Sequence, residues 1–217
     1  MYNQNSNNVK PIIYQLLPRL FGNYNETRKH NGTRAENGCG RFADITPKAL
    51  KSIADLGATH VWYTGVIRHA TAERNTAAIV KGQAGSPYAI TDYYDVDPDL
   101  ATEEPKRMQE FEALVARTHK AGLNVVIDFV PNHVAREYHS TCKPAGVRDL
   151  GEDDNPNWAF SPLNNFYYIP GEKFQPYFDI QGYNEYPARA TGNDCFTAHP
   201  SRNDWYETVK LNYGVFY

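Results

Sequence analysis

Three short apolar runs, separated by two stretches of helical periodicity, constrain the fold of this chain more than any other feature. The apolar runs are residues 12–17, 59–64 and 125–130, and each has the length of a strand. Helices are predicted from residue 47 to about 56 and over about 103–121. Strands that alternate with helices indicate parallel βα units with right-handed crossovers. The sequence therefore predicts an α/β fold, with the first and third runs as buried strands.

The first predicted helix has clear start and stop signals. Thr46 is a favourable N-cap, and Pro47 suits the first helical position. Gly57 fits the position just after the last turn. The apolar face of this helix is expected to comprise Leu50, Ile53, Ala54 and Leu56.

The second part of the chain has a different composition. Of the 29 aromatic residues in the 217-residue chain, 12 lie before residue 134 and 17 lie after it, although the second part is shorter. Pro, Gly and Asn are also frequent there, and no long helical period is present. We therefore divide the chain into a polar tail over residues 1–8, an alternating part over 9–133, and an irregular, aromatic-rich part over 134–217. Residues 158–160 and 165–169 are expected to be short strands or packed loop.

Charge and hydropathy exclude several classes of protein. The net charge is −3, the pI is near 6.2, and Lys and Arg form no stripe, so we expect no nucleic-acid partner. No apolar run approaches the ~20 residues that cross a bilayer, so we expect no membrane partner. The N-terminus lacks an apolar signal core, which predicts a cytoplasmic protein if Met1 is the true start. A periplasmic or secreted protein is expected if an upstream signal was removed. Three widely separated cysteines predict free thiols.

The strongest chemical motif runs from Asp128 to His133, in the sequence Asp-Phe-Val-Pro-Asn-His. An acid inside a buried strand is costly unless it is paired or hydrogen-bonded. Asn132 and His133 follow at the carboxyl end of the same strand, where α/β enzymes place their sites. A carboxylate, an amide and an imidazole are thus expected in one small volume. The alternative is a buried aspartate satisfied by backbone groups and followed by two ordinary loop residues.

A second motif lies in the loop after the second predicted strand, over residues 86–98. An exposed Tyr88 there could stack on a sugar ring, whose C–H faces are apolar, or it could simply pack the loop. The spacing Asp95-x-Asp97-x-Asp99 is similar to the start of a calcium loop. The loop glycine and the closing glutamate are both missing, so an EF-hand is rejected.

Taken together, these motifs resemble the α-amylase family of glycoside hydrolases, which acts on α-glucans. The resemblance rests on residues 13–21, 40–62, 86–98 and 128–133, which occur in the order and at the spacing of that family. It implies a partial (β/α)8 TIM barrel, with the first three βα units in residues 9–133. Residues 134–217 are similar to the irregular insertion called domain B, and the chain would stop before the fourth strand.

The resemblance also implies roles for particular residues. His133 would hydrogen-bond the sugar ring at the cleavage subsite, and Tyr88 would stack on that ring. Asp128 would organise the site, and Asp92 would help to hold Tyr88. Asn132 matches a position that often ligates a structural calcium ion. No cofactor is required for the family's chemistry.

The family's reaction is retaining hydrolysis or transfer, in which two carboxyl groups about 5 Å apart flank the bond. The family motifs that carry the nucleophilic aspartate and the acidic glutamate do not occur in this sequence, and Asp179 or Asp194 are poor substitutes. We therefore predict that this chain is inactive alone. Its expected partners are an α-glucan and the rest of the same enzyme. Two alternatives remain: a non-catalytic carbohydrate-binding or interaction protein of the same fold, and an unrelated short α/β enzyme.

Overall fold

The computed structural model describes residues 10–214, so the predicted polar tail over 1–8 lies outside the described residues. In this part of the chain the strands are β1 (Ile13–Leu16), β2 (His60–Tyr63), β3 (Ile67–His69), β4 (Ile90–Val96), β5 (Asn124–Ile127), β6 (His133–Ala135), β7 (Tyr168–Ile169), β8 (Ala188–Arg189) and β9 (Thr208–Lys210). The α-helices are α1 (Arg34–Asn37), α2 (Pro47–Asp55) and α3 (Arg107–Lys120). Within residues 10–214, no helix is both long and apolar enough to cross a membrane.

The described residues form two compact units. The first contains residues 10–24, 39–66 and 98–128, and the second contains residues 25–38, 67–97 and 129–214. The sequence places a single boundary after residue 133, whereas this division falls after Asp128 and adds two earlier loops to the second unit. Loops that are far apart in the chain fold together there, which the composition of one segment does not indicate.

The first unit is built on a parallel sheet in the order β1–β2–β5. Ile13 lies opposite His60, and His60 lies opposite Asn124, so the three strands start level with one another. The parallel pairing of the three predicted strands is confirmed. Tyr63 at the end of β2 is fully buried, and its hydroxyl lies 2.6 Å from the Thr118 hydroxyl of α3.

Helix α2 begins where the sequence predicts. The Thr46 hydroxyl accepts a hydrogen bond from the Ala49 amide at 3.2 Å, and Pro47 is the first helical residue. Leu50 and Ile53 are buried as expected, but Leu56 is 73% exposed. The prediction for Leu56 is wrong because the helix ends at Asp55, which leaves Leu56 as the C-cap and not on the apolar face.

Helix α3 starts later than predicted. Residues Glu104–Lys106 form a separate 3₁₀ turn, and the α-helix begins at Arg107 instead of near residue 103. The difference arises at Lys106, whose backbone at φ −101° and ψ 9° lies outside the α-helical region and separates the two elements. Leu114 and Thr118 are the buried residues of the helix.

Two strands predicted to be buried are partly exposed. Ile13 of β1 is 50% exposed and Ile127 of β5 is 41% exposed, while Leu16 is buried. In the described part of the chain, β1 and β5 each pair only with β2, so both lie at edges of the sheet. Asp128 is also not inside a strand, because β5 ends at Ile127 and the carboxylate follows directly after it.

The second unit consists of short antiparallel pairs joined by long loops. The pairs are β3–β4, β6–β9 and β7–β8. β7 lies within the predicted segment 165–169, whereas residues 158–160 form loop and turn. The interior is packed in small clusters, of which one contains Val134, Phe166, Val209 and Leu211. Since β6 and β9 both contribute to this cluster, the start of β6 is held firmly in place.

Candidate functional site

His133 is the first residue of β6 and lies opposite Lys210 of β9. Its side chain is buried, with 7% of the residue exposed. The next residues, Val134 and Ala135, are also buried. Packing of β6 into the interior therefore fixes the position of the imidazole ring.

The hydrogen bonds around His133 define which ring nitrogen carries the proton. The Asn132 amide nitrogen donates to the Gly192 carbonyl at 2.7 Å and lies 3.0 Å from Nδ1 of His133. The Asn132 oxygen accepts a hydrogen bond from the Lys210 ammonium at 3.2 Å. These partners fix the orientation of the amide, so Nδ1 of His133 accepts a hydrogen bond and Nε2 carries the proton.

The environment also keeps the imidazole neutral. Burial and the nearby Lys210 ammonium lower the pKa of His133, and a hydrogen bond to the Tyr88 backbone opposes this shift. Because Asn132 occupies Nδ1, the Nε2–H is the donor that the ring can offer to a ligand oxygen.

Gly192 lies against the histidine side chain. A Cβ atom at this position would lie 2.8 Å from Cβ of His133 and 2.6 Å from the Thr208 hydroxyl. The Gly192 amide donates to that hydroxyl at 3.1 Å. Only glycine allows the backbone to approach this closely, and the approach holds the Gly192 carbonyl against Asn132.

Tyr88 lies beside the same imidazole. Its backbone hydrogen-bonds the His133 ring, and the residue is 42% exposed. Tyr88 lies in a turn that two hydrogen bonds to Ser86 stabilise. The Tyr88 amide donates to the Ser86 hydroxyl at 3.3 Å, and the Ala89 amide donates to the Ser86 carbonyl at 3.0 Å. The structure thus brings together Tyr88, Asn132 and His133.

Trp205 is a neighbour of His133 that the sequence motifs do not indicate. The two ring centroids are 5.2 Å apart, with the planes at 61°, and Trp205 is 43% exposed. Lys210 and Gly192 were likewise not predicted. All three lie in the irregular part of the chain, where no local sequence pattern predicts the β6–β9 pairing.

Asp92 has a different place from the one expected. It is 1% exposed, and its carboxylate accepts hydrogen bonds from the amides of Tyr94, Thr141 and Cys142 at 2.8, 2.7 and 3.2 Å. A group this deeply buried is closed to a ligand. The carboxylate ties the loop at residues 141–142 to β4, and these hydrogen bonds do not involve Tyr88.

Asp128 belongs to the first unit. Its carboxylate accepts hydrogen bonds from the Trp62 indole at 3.0 Å and from the Gly65 amide at 3.2 Å. It thereby joins the end of β5 to the end of β2. The Asp128 carboxylate thus has one side-chain donor and one backbone donor as hydrogen-bond partners.

The residues around Asn132 do not fit a calcium ion. Calcium requires six to eight oxygen ligands, and the Asn132 oxygen is already in contact with a cation, the Lys210 ammonium. The same ammonium lies 2.6 Å from the Asp194 carboxylate. A divalent cation at Asn132 would lie against the lysine charge.

A second group of potential ligands fits no better. One ligand atom each of Asp92, Asp95 and Cys142 lie within 4.8 Å of one another. The Asp92 carboxylate is occupied by backbone amides, and Asp95 accepts from the Arg68 guanidinium at 3.0 Å. These carboxylates are satisfied by protein donors.

Comparison with known proteins identifies the family. The family model for the α-amylase catalytic domain matches residues 15–173. Maltase 1 of Drosophila virilis is 29% identical over 147 residues, which is 68% of this chain and 19% of that protein. An amino acid transporter heavy chain of Homo sapiens is 29% identical over 126 residues, which is 58% of this chain and 14% of that protein.

Among solved structures, a cyclic α-maltosyl-(1→6)-maltose hydrolase of Arthrobacter globiformis has a TM-score of 0.53 at 18% identity, covering 93% of this chain and 37% of that one. This likeness concerns the fold alone and indicates a partial TIM-barrel-like α/β fold. The chain spans about a fifth of the length of the curated relatives it matches. Because the family model covers most of the sequence, the chain belongs to the α-amylase family of glycoside hydrolases.

Proposed function

We propose that this chain is the sugar-binding front part of an α-amylase-family enzyme that acts on α-glucans. In this proposal residues 9–133 supply the first three strands and two helices of the catalytic barrel. Residues 134–217 form the domain B insertion. The parallel β1–β2–β5 sheet supports the barrel part of this proposal.

The observation that carries the proposal is the pairing of Tyr88 with His133. An exposed aromatic ring offers an apolar face to the C–H face of a pyranose. Because Nδ1 of the buried His133 imidazole already accepts from Asn132, the ring offers its Nε2–H as a donor to a hydroxyl oxygen. A mostly apolar contact surface with a few fixed polar groups is the usual composition of a small-ligand site.

Hydrolysis with retention needs a nucleophilic carboxylate and a carboxylic acid about 5 Å apart. We propose that these groups come from the rest of the enzyme and that Asp128 organises the strand ends next to them. Asp194 is a poor substitute, because it is paired with the Lys210 ammonium at 2.6 Å. The proposed chemistry uses carboxylates and water and requires no cofactor.

Titration calorimetry of the chain with maltoheptaose tests the binding part of this proposal. We expect measurable binding by the wild type and a loss of at least tenfold in affinity for His133→Ala, which corresponds to about 1.4 kcal/mol. The matched control is His139→Ala, because His139 lies in the same unit but its side chain is 75% exposed. This control should bind as the wild type does.

Release of reducing ends from soluble starch tests the catalytic part. We expect no release by the chain above that of His133→Ala. Release well above this control would show that the chain carries its own reacting carboxylates. A wild type that binds no maltoheptaose would contradict the sugar-binding proposal itself.

A second candidate function is a non-catalytic interaction protein of the same fold. The relative named as an amino acid transporter heavy chain favours it, because that name describes a partner subunit and no hydrolase. This candidate predicts retention of the Tyr88–His133 geometry without glucan affinity. The calorimetry above separates the two functions.

A further inference from the structure

Trp205 contacts the candidate site and is also partly exposed. Its ring contacts the buried His133 imidazole, yet 43% of the residue remains exposed. A partly exposed aromatic ring beside a polar group can offer its apolar face to the C–H face of a sugar. The exposed surface therefore lies next to the proposed sugar site without being buried by the protein.

Hydrogen bonds fix the Trp205 backbone at both its amide and its carbonyl group. The Trp205 amide donates to the Asn193 side-chain oxygen at 3.2 Å. The Trp205 carbonyl accepts from the Thr208 amide at 2.9 Å and from the Thr208 hydroxyl at 2.8 Å. This arrangement holds the indole before any ligand arrives, which reduces the entropic cost of binding.

Polar groups surround this aromatic surface. Asn193 donates to the Asp204 carboxylate at 3.0 Å, and this hydrogen bond lowers the pKa of Asp204. The Asp194–Lys210 ion pair lies near His133, whose pKa the Lys210 charge lowers. An aromatic surface with carboxylate and amide groups nearby suits a sugar, which has apolar C–H faces and hydroxyl edges, better than a purely apolar ligand.

We propose that Trp205 is a substrate-contacting residue that stacks on a second glucosyl unit, adjacent to the unit held by Tyr88 and His133. This inference rests on the proposed function and extends the site to a segment that its motifs do not include. The bound glucan would thus span two aromatic side chains with the imidazole between them.

Calorimetry with maltoheptaose on Trp205 variants tests this proposal. Trp205→Ala should lower the affinity about tenfold, and Trp205→Phe, which keeps an aromatic ring, should recover most of the loss. The matched control is Trp158→Ala, because Trp158 lies in the same unit and is 60% exposed. This control should change the affinity less than twofold.

Tryptophan fluorescence supplies a readout that a purely structural role would not move. Maltoheptaose should shift the emission of the wild type and of Trp158→Phe, and the shift should be absent from Trp205→Phe although this variant still binds. An unchanged affinity in Trp205→Ala, with normal wild-type binding, would overturn the role of Trp205 alone. Absence of wild-type binding would overturn both the proposed function and this extension of it.

Discussion

At the scale of single residues, Glu185 places a buried carboxylate between two arginine side chains of the second unit. The carboxylate is buried and receives the Arg136 guanidinium at 2.7 Å and the Arg189 guanidinium at 2.7 Å. The Tyr183 hydroxyl donates to it at 2.5 Å. Arg136 also stacks on Phe174 with 3.7 Å between the guanidinium carbon and the ring centroid. One carboxylate thus neutralises a buried cation, Arg136, and a partly buried one, Arg189.

We predict that Glu185→Gln destabilises the protein strongly. Glutamine keeps the shape but removes the negative charge, which leaves the buried Arg136 and the partly buried Arg189 without their counterion. Breaking a buried ion pair in this way costs roughly 3–5 kcal/mol in the free energy of unfolding. Urea denaturation measures this change. Glu172→Gln is the control, because the Glu172 side chain is 53% exposed and should contribute less than about 0.5 kcal/mol.

Protonation of the same carboxylate lowers the stability of the folded protein at acid pH. Burial alone would raise its pKa, but Arg136 and Arg189 lower the pKa of Glu185 to about 2 from the ordinary 4.5. The folded state therefore binds fewer protons than the unfolded state between these values, and stability is lost as the pH falls from about 4.5 toward 2. Glu185→Gln should lack this part of the pH dependence. An equal acid sensitivity in both proteins would contradict the assignment.

Residues of the site could be predicted only where a local motif contains them. His133 and Asn132 follow a recognisable strand, and Tyr88 lies in a loop with its own pattern, so the sequence indicates all three. Lys210 and Trp205 reach His133 through the β6–β9 pairing, which is specified by long-range packing. The hydrogen bonds of Asp92 likewise involve the distant loop at residues 141–142, which the motif around Asp92 does not indicate.

At the scale of elements, the position of a helix is easier to predict from the sequence than the burial of a strand. The start of α2 depends on Thr46 and Pro47, which act on the backbone next to them, so sequence alone indicates it. The exposure of Ile13 and Ile127 depends instead on how many strands lie beside β1 and β5. Strand propensity carries no information about that number.

We predict that Thr46→Ala destabilises α2 by about 1 kcal/mol, because the Ala49 amide loses its hydrogen-bond acceptor at the helix start. Thermal unfolding followed by circular dichroism measures the effect. The control is Ser52→Ala within the same helix, where the exposed hydroxyl bonds only the Lys48 carbonyl at 3.1 Å. If the two variants unfold alike, the cap does not stabilise the helix.

At the scale of the whole molecule, the first unit presents exposed strand edges. β1 and β5 each pair with β2 alone among the described residues, and Ile13 and Ile127 are each exposed by at least 41%. An apolar edge strand with open backbone groups is a template for pairing with another chain. This feature follows from the number of strands in the sheet, which the alternating pattern predicts, although the exposed residues themselves were expected to be buried.

We therefore predict that the chain on its own self-associates through the β5 edge. Ile127→Lys should raise the monomer fraction, because a charged side chain on an edge strand opposes pairing with a second chain. Sedimentation velocity over a wide range of concentration measures the distribution of species. Leu56→Lys is the control, since Leu56 is 73% exposed but follows a helix and offers no strand edge. Equal gains in both variants would assign the association to general surface hydrophobicity, and a wild type that stays monomeric throughout would show that the exposed edge is tolerated.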